Sequence, residues 1–147
     1  MHHDFTYPVT LTPDAIDGGF VVTFADLPEA ITQGENLADA LAQATDALAE
    51  AIAGRIRRGE DIPQPSRPLA SQQVVPVPAQ VAAKAALHLA LRQTGLSRTE
   101  LATQLGCDEK EVRRLLDPHH SSKLPRLQRA IEILGRRIAL RLVDAAA

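Results

Sequence analysis

Five of the chain's ten prolines fall between residues 61 and 78. Proline fixes φ and has no N–H to donate, so this stretch favours extended backbone and resists helix. It parts the 147-residue chain into two segments, each of which must bury its own apolar residues. The boundary is expected near residue 78. A first domain then covers 1–78, the proline-rich connector included, and a second covers 79–147. Inside the connector, Gln72-Gln73-Val74-Val75 ends in an apolar run able to add a strand to the first domain.

The first segment begins with a period of two. Phe5, Tyr7, Val9 and Leu11 alternate with Thr6, Pro8, Thr10 and Thr12, the pattern of a half-buried strand. Pro8 should lie at an edge or at a position outside the hydrogen-bonding ladder. Asp17-Gly18-Gly19 supplies a turn, Phe20 to Phe24 a well-buried strand, and Ala30 to Gln33 a third strand closed by Gly34. The period then changes. Leu37, Leu41, Ala44, Leu48, Ile52 and Ile56 draw one apolar stripe on a helix, with Asn36 placed to cap it and Gly59 to end it. An antiparallel meander carrying one helix is the expected first domain.

The net charge of −2 conceals two halves of opposite sign. Residues 1–54 hold nine Asp plus Glu and no Lys or Arg, whereas residues 79–147 hold twelve Lys plus Arg against seven Asp plus Glu. An acidic surface repels nucleic acid and attracts basic proteins; a basic one does the reverse. A single cysteine, Cys107, excludes an internal disulfide and suits a reducing compartment. No apolar run is long enough to span a membrane, and the start, Met1-His2-His3-Asp4-Phe5, lacks the layout of a secretory signal. The expected location is the cytoplasm.

From Ala79 the pattern is helical throughout. Val81, Ala85 and Leu89 mark one helix ended by Gly95, and three shorter helices are expected at about Arg98–Leu105, Glu109–Leu116 and Pro125–Leu134. In the tail, Ile138, Leu140 and Leu142 alternate as in a strand, which could serve within the chain or pair with a second copy. The most informative stretch is Ser97 to Leu116. Ser97 and Glu100 have the spacing of a capping box, Leu101 and Leu105 point inward, and Ala102 is small where two helices cross. Gly106 suits the left-handed turn, and Asp108 caps a helix buried by Val112, Leu115 and Leu116. Lys110, Arg113 and Arg114 are left facing outward, as a recognition helix entering the major groove requires. Ser97, Arg98, Thr99, His119, His120 and Lys123 are placed as phosphate contacts at its edges. Leu96-Ser97-Arg98-Thr99-Glu100-Leu101-Ala102 and Leu105-Gly106-Cys107 resemble the Cro/CI-type helix-turn-helix. Cys107 replaces the common Val or Ile of that family, and Arg98 stands where a Gln is frequent.

The first segment resembles the HicB antitoxins. The residues that carry the likeness are Tyr7-Pro8-Val9, Asp17 to Phe24, Asp26-Leu27-Pro28-Glu29-Ala30, Thr32-Gln33-Gly34 and Ala38-Asp39-Ala40-Leu41. Val112 to Leu124 is similar to the HicB subset that carries a helix-turn-helix. The resemblance implies an α+β protein: a small antiparallel sheet with one packed helix, a partial RNase H-like fold without nuclease activity, then an all-α helix-turn-helix domain. It implies that the partner is a HicA-type toxin, a small basic ribonuclease, and that the protein represses its own operon by binding operator DNA as a homodimer or higher homo-oligomer. Phe20, Asp26, Leu27 and Glu29, on or just after the second strand, are the candidate toxin contacts.

Two other readings are weighed against this one. A stand-alone helix-turn-helix regulator with a degenerate sensing domain would lack a neighbouring short gene for a basic partner. A nuclease would need carboxylates holding two metal ions. Asp4, Asp17, Asp26, Glu29 and Glu35 are numerous enough, but most fall in expected turns. His2-His3 and His119-His120 lack a supporting ligand pattern for metal. The expectation is therefore a protein without catalytic residues, cofactor or metal.

Overall fold

The computed structural model describes residues 2–145. Among these residues, four strands and five helices follow one another, giving an α+β class. Contacts divide it into two units: residues 2–52 with 63–78 and 144–145, and residues 53–62 with 79–143.

In the first unit, strands β1 (Thr6–Pro13), β2 (Phe20–Thr23), β3 (Ile31–Gly34) and β4 (Gln73–Pro76) form one antiparallel sheet in the order β3-β2-β1-β4. The apolar run of the connector is thus the fourth strand. β1 changes partner along its length: Thr6–Val9 pairs with β4, and Thr10–Pro13 pairs with β2. Pro8 accordingly has a paired strand on one side only, which is how an internal strand accommodates a residue without an N–H. Tyr7, Val9, Val22, Phe24 and Val75 are buried, and the Tyr7 hydroxyl donates to the Pro63 carbonyl at 2.6 Å. A buried phenol needs such a partner.

Helix α1 (Leu37–Arg58) starts immediately after β3. Asn36 accepts from the Asp39 N–H at 2.8 Å, and the Asp39 carboxylate in turn accepts from the Glu35 N–H at 2.9 Å. The first bond satisfies an N–H that a helix start leaves without an intrahelical partner, and the second ties the residue before the cap to the first turn. The buried stripe takes in Ala40, Ala44, Leu48 and Ile52, while Leu37 and Leu41 are only half-buried. Small alanines win because the helix begins almost in contact with the strand. A Cβ placed on Gly34 would lie 2.4 Å from both the Cα and the N of Ala40. Gly19 is constrained twice over, with φ +73° and a would-be Cβ 2.2 Å from the Gly34 carbonyl oxygen.

The second unit contains α2 (Ala79–Thr94), α3 (Arg98–Leu105), α4 (Glu109–Leu116) and α5 (Leu124–Ile133). Their facing sides bury Leu87, Leu101, Val112, Leu115, Leu127 and Ile131 in one cluster. Burying each such side chain is worth about 1.5–3 kcal/mol. Ser97 and Glu100 form the expected capping box: the Ser97 Oγ accepts from the Glu100 N–H at 3.0 Å, and the Glu100 carboxylate accepts from the Ser97 N–H at 3.3 Å. Ser97→Ala should lower stability by about 1 kcal/mol, measurable as a shift of the second unit's denaturation midpoint. Gly106 ends α3 at φ +71°, and its neighbour Cys107 donates its N–H to the Ala102 carbonyl. Cys107 packs against the helical cluster, and burial pushes its thiol pKa up, so it stays protonated and unreactive at neutral pH.

The alternating tail differs from expectation. Residues 136–145 form no strand; Ile138 packs against the cluster, but Leu140 is 80 % and Leu142 99 % exposed. These residues pair with no strand of the sheet, and alternation alone does not supply a hydrogen-bonding partner.

Candidate functional site

Helix α4 is amphipathic. Val112, Leu115 and Leu116 are buried, while Lys110, Arg113 and Arg114 are exposed. Asp108 caps its start, its carboxylate accepting from the Glu111 N–H at 2.9 Å. Two further anchors fix its position. The Glu111 carboxylate accepts from Arg126 Nε of α5 at 2.7 Å, and this pairing holds the Glu111 pKa below the usual carboxylate range. At the other end, Lys84 of α2 is fully buried and donates from Nζ to the carbonyls of Arg114 and Leu115 at 2.9 and 3.1 Å, and to Ser122 Oγ at 2.8 Å. A buried ammonium thus caps the C-terminus of α4, where carbonyls lack intrahelical donors and the helix dipole favours a cation. Burial pushes the Lys84 pKa down to about 8, with Asp117 opposing the shift.

The outward cations of α4 do not stand alone. A concave surface of about 700 Å³ in the second unit is lined by Lys110, Arg113 and Arg114 of α4, Arg98 of α3 and Arg92 of α2. Arg57 and Arg58, from the last turn of α1, complete it. Its floor is apolar, formed by Ile56, Leu91, Leu116 and Pro118, and Asp117 is the only carboxylate among the lining residues. Residues 59–62 are tied to α2 by His88, whose Nε2 lies 2.7 Å from the Glu60 carbonyl, and by Arg92, which donates to the Gly59 carbonyl. A carbonyl only accepts, so His88 carries its proton on Nε2; burial, the largest influence, pushes its pKa down and keeps the ring neutral.

Of the residues expected to touch DNA, the fold brings Arg98, Lys110, Arg113 and Arg114 to this surface. Ser97, Thr99, His120 and Lys123 are exposed in the second unit but do not line it. His119 is also exposed and accepts from the Arg57 guanidinium at 3.1 Å. Sequence reasoning missed Arg57, Arg58 and Arg92. The signal was present: residues 1–54 contain no Lys or Arg, and Arg55, Arg57 and Arg58 break that rule within one turn of helix. The sign of the chain therefore changes beside residue 53, where α1 passes to the second unit.

A second concavity, of about 630 Å³, belongs to the first unit and has the opposite character. Asp14, Asp17, Glu35 and Asp39 surround it with Phe20, Gln33 and three glycines, and no base lines it. Asp14 is occupied in its own turn, accepting from the N–H groups of Ile16 and Asp17 at 3.0 and 3.1 Å. Among the candidate toxin contacts, only Phe20 lies here. Asp26 accepts from the Ser66 N–H at 3.0 Å and its hydroxyl at 3.1 Å, Glu29 is exposed, and Leu27 is fully buried. Leu27 has no surface to offer a partner; it anchors the β2–β3 connection from inside. Among the described residues, no group of three or more His, Cys, Asp or Glu is arranged to hold a metal ion. No described helix is long and apolar enough to cross a membrane.

The sheet unit thus carries a concavity lined by carboxylates, and the helical unit one lined mainly by cations. Residues 6–86 match the family described as HicB-like antitoxin of bacterial toxin–antitoxin systems. The chain is 41 % identical over 137 residues to antitoxin HicB of Escherichia coli K12, covering 93 % of this chain and 99 % of that one. It is 37 % identical to antitoxin HicB 1 of Photorhabdus laumondii, over 91 % of this chain and 84 % of the relative. Antitoxin HicB of Pseudomonas fluorescens is also 37 % identical, over 84 % and 85 % of the two chains. The chain belongs to the HicB antitoxin family.

Proposed function

We propose that this antitoxin neutralises a HicA-type mRNA-cleaving toxin through its first unit and represses its own operon through α3 and α4, without catalysing a reaction. The observation that carries the reading is the opposition of charge between two separately packed units: carboxylates without bases around one concavity, and seven Lys plus Arg with one carboxylate around the other. Phe20, with Asp17 and Glu35 beside it, supplies an apolar contact inside an acidic rim. Charge speeds and orients such an encounter, while apolar burial sets its lifetime. In the second unit, α3, a three-residue turn and α4 act as a helix-turn-helix, with Lys110, Arg113 and Arg114 reaching base edges and Arg98 a phosphate. Asp26, Glu29, Ser97, Thr99, His119, His120 and Lys123 remain candidate contacts at the margins of the two surfaces.

Co-expression with the product of the adjacent gene should rescue growth, and footprinting should reveal an inverted repeat upstream of the operon. A dimer carrying two recognition helices requires half-sites about 34–36 Å apart. Arg113→Ala with Arg114→Ala should weaken operator binding by about 100-fold, since each good guanine contact is worth about 1–3 kcal/mol. Growth rescue should be unaffected. Loss of both activities in that variant, with normal folding, would refute the division of labour.

A further inference from the structure

We infer that the last turn of α1 is part of the DNA-binding surface, with Arg57 and Arg58 gripping the phosphate backbone alongside the α3–α4 pair. This rests on the operator-binding reading above and adds residues from the other side of the proline-rich connector. The structural case begins with charge. Seven cations from four helices line one concavity whose only lining carboxylate is Asp117. Like charges held this close repel one another, and the repulsion is relieved when a polyanion enters and its counterions are released.

A purely local account covers only part of the arrangement. Arginines in the last turn of a helix offset the negative end of its dipole, which suits Arg57 and Arg58 of α1. It does not suit Arg98, the first residue of α3, where a cation opposes the dipole. Arg98 shares the concavity with the α1 arginines. Its placement makes sense for an external anion and not for the helix itself. The apolar floor of Ile56, Leu91, Leu116 and Pro118 favours guanidinium stems lying over it, with their charged heads left at the rim. Arg57 is held by His119 and Arg58 by Glu60, contacts of 3.1 and 2.7 Å that position the heads in advance of a ligand.

Phosphodiester backbone is the occupant that fits. The lining offers donors and positive charge without a buried acceptor array for a base, and the neighbouring α4 carries the residues suited to base edges. Such contacts add affinity without reading sequence. Binding should therefore weaken alike on operator and unrelated DNA when they are removed.

The test uses the full-length protein and two duplexes of equal length, one containing the operon's upstream region and one unrelated. Arg57→Gln with Arg58→Gln keeps side-chain length and an amide donor but removes both charges. Its slope of log affinity against log salt should fall by about two units on both duplexes, near the 0.9 expected per lost phosphate contact. Arg57→Lys with Arg58→Lys should restore most of the slope, because a helix cap and a phosphate contact both tolerate lysine but only the latter registers in the salt dependence. The glutamine variant should stay folded at the assay temperature, with only the small loss of stability that follows from removing two cations at a helix C-terminus, and toxin neutralisation should match the parent protein. An unchanged slope in the glutamine variant, while Arg113→Ala with Arg114→Ala abolishes operator preference, would overturn the inference and leave operator binding standing. Failure of the parent protein to bind either duplex would overturn both.

Discussion

Lys84→Met should destabilise the second unit by about 3 kcal/mol and displace α4. Methionine nearly matches lysine in volume, so packing is retained while three acceptors lose their donor: the Arg114 and Leu115 carbonyls and Ser122 Oγ. Hydrogen bonds from a charged donor are worth about 1.5–3 kcal/mol, and each acceptor left buried and unpaired costs about 1–3 kcal/mol. Against this stands the relief of removing a buried ammonium, which is why the net figure is well below the sum. Hydrogen exchange of α4 amides should accelerate, and operator binding should weaken even though Lys84 is buried and cannot touch DNA.

The same residue gives the protein a pH signature. The folded value near 8 lies below the ordinary 10.5, so at neutral pH Lys84 is charged in both folded and unfolded chains and the fold carries the whole cost of burying it. Between about 8 and 10.5 the unfolded chain retains a proton that the folded chain has released, so this group's contribution to stability rises with pH across that window and is flat above it. Denaturation of parent and Lys84→Met at pH 7 and pH 10 isolates the effect. The parent should gain on the variant at the higher pH, and an equal response would show that Lys84 is not the buried ammonium described.

Gly34→Ala should be the most damaging single-methyl change in the first unit, costing about 3 kcal/mol. The added Cβ would sit 2.4 Å from two backbone atoms of Ala40, and backbone at the start of a helix cannot rotate away as a side-chain tip can. Either β3 or the first turn of α1 must move, which strains the capping bonds of Asn36 and Asp39. Overpacking of this kind reaches the upper end of its usual 1–3 kcal/mol range. Loss of toxin neutralisation at growth temperature is expected, with the α2–α5 unit still folded by its own denaturation transition. Wild-type stability in Gly34→Ala would show that helix and strand are less closely apposed than described. Because the protein has two packed units, each measurement needs a probe confined to one of them.

Much of this was legible in the residues. Alternation over Phe5–Leu11 and Phe20–Phe24, the stripe from Leu37 to Ile56, and caps at Asn36, Ser97 and Asp108 all report local preferences, and all appear where local physics puts them. The acid-only stretch to residue 54 and the outward cations of α4 were equally readable, because charge and helical period need no knowledge of the fold. The tail misled for the same reason in reverse. Ile138, Leu140 and Leu142 have the period of a strand, but a strand exists only where another chain segment pairs with it, and period says nothing of partners.

Sequence alone therefore determined the types and approximate positions of the strands and helices before residue 135, the opposite signs of the two segments and the family to which the chain belongs. Tertiary structure alone decided that Lys84 is buried as the cap of α4, that Ala40 must meet a glycine, and that the end of α1 joins the helices beyond the connector. The difference is physical. Propensity, capping and amphipathicity act over a few residues, whereas Arg57 reaches His119, 62 positions further along the chain, only after the intervening segment has been folded back. Contacts of that separation depend on where the whole chain places its surfaces, and no local pattern encodes them.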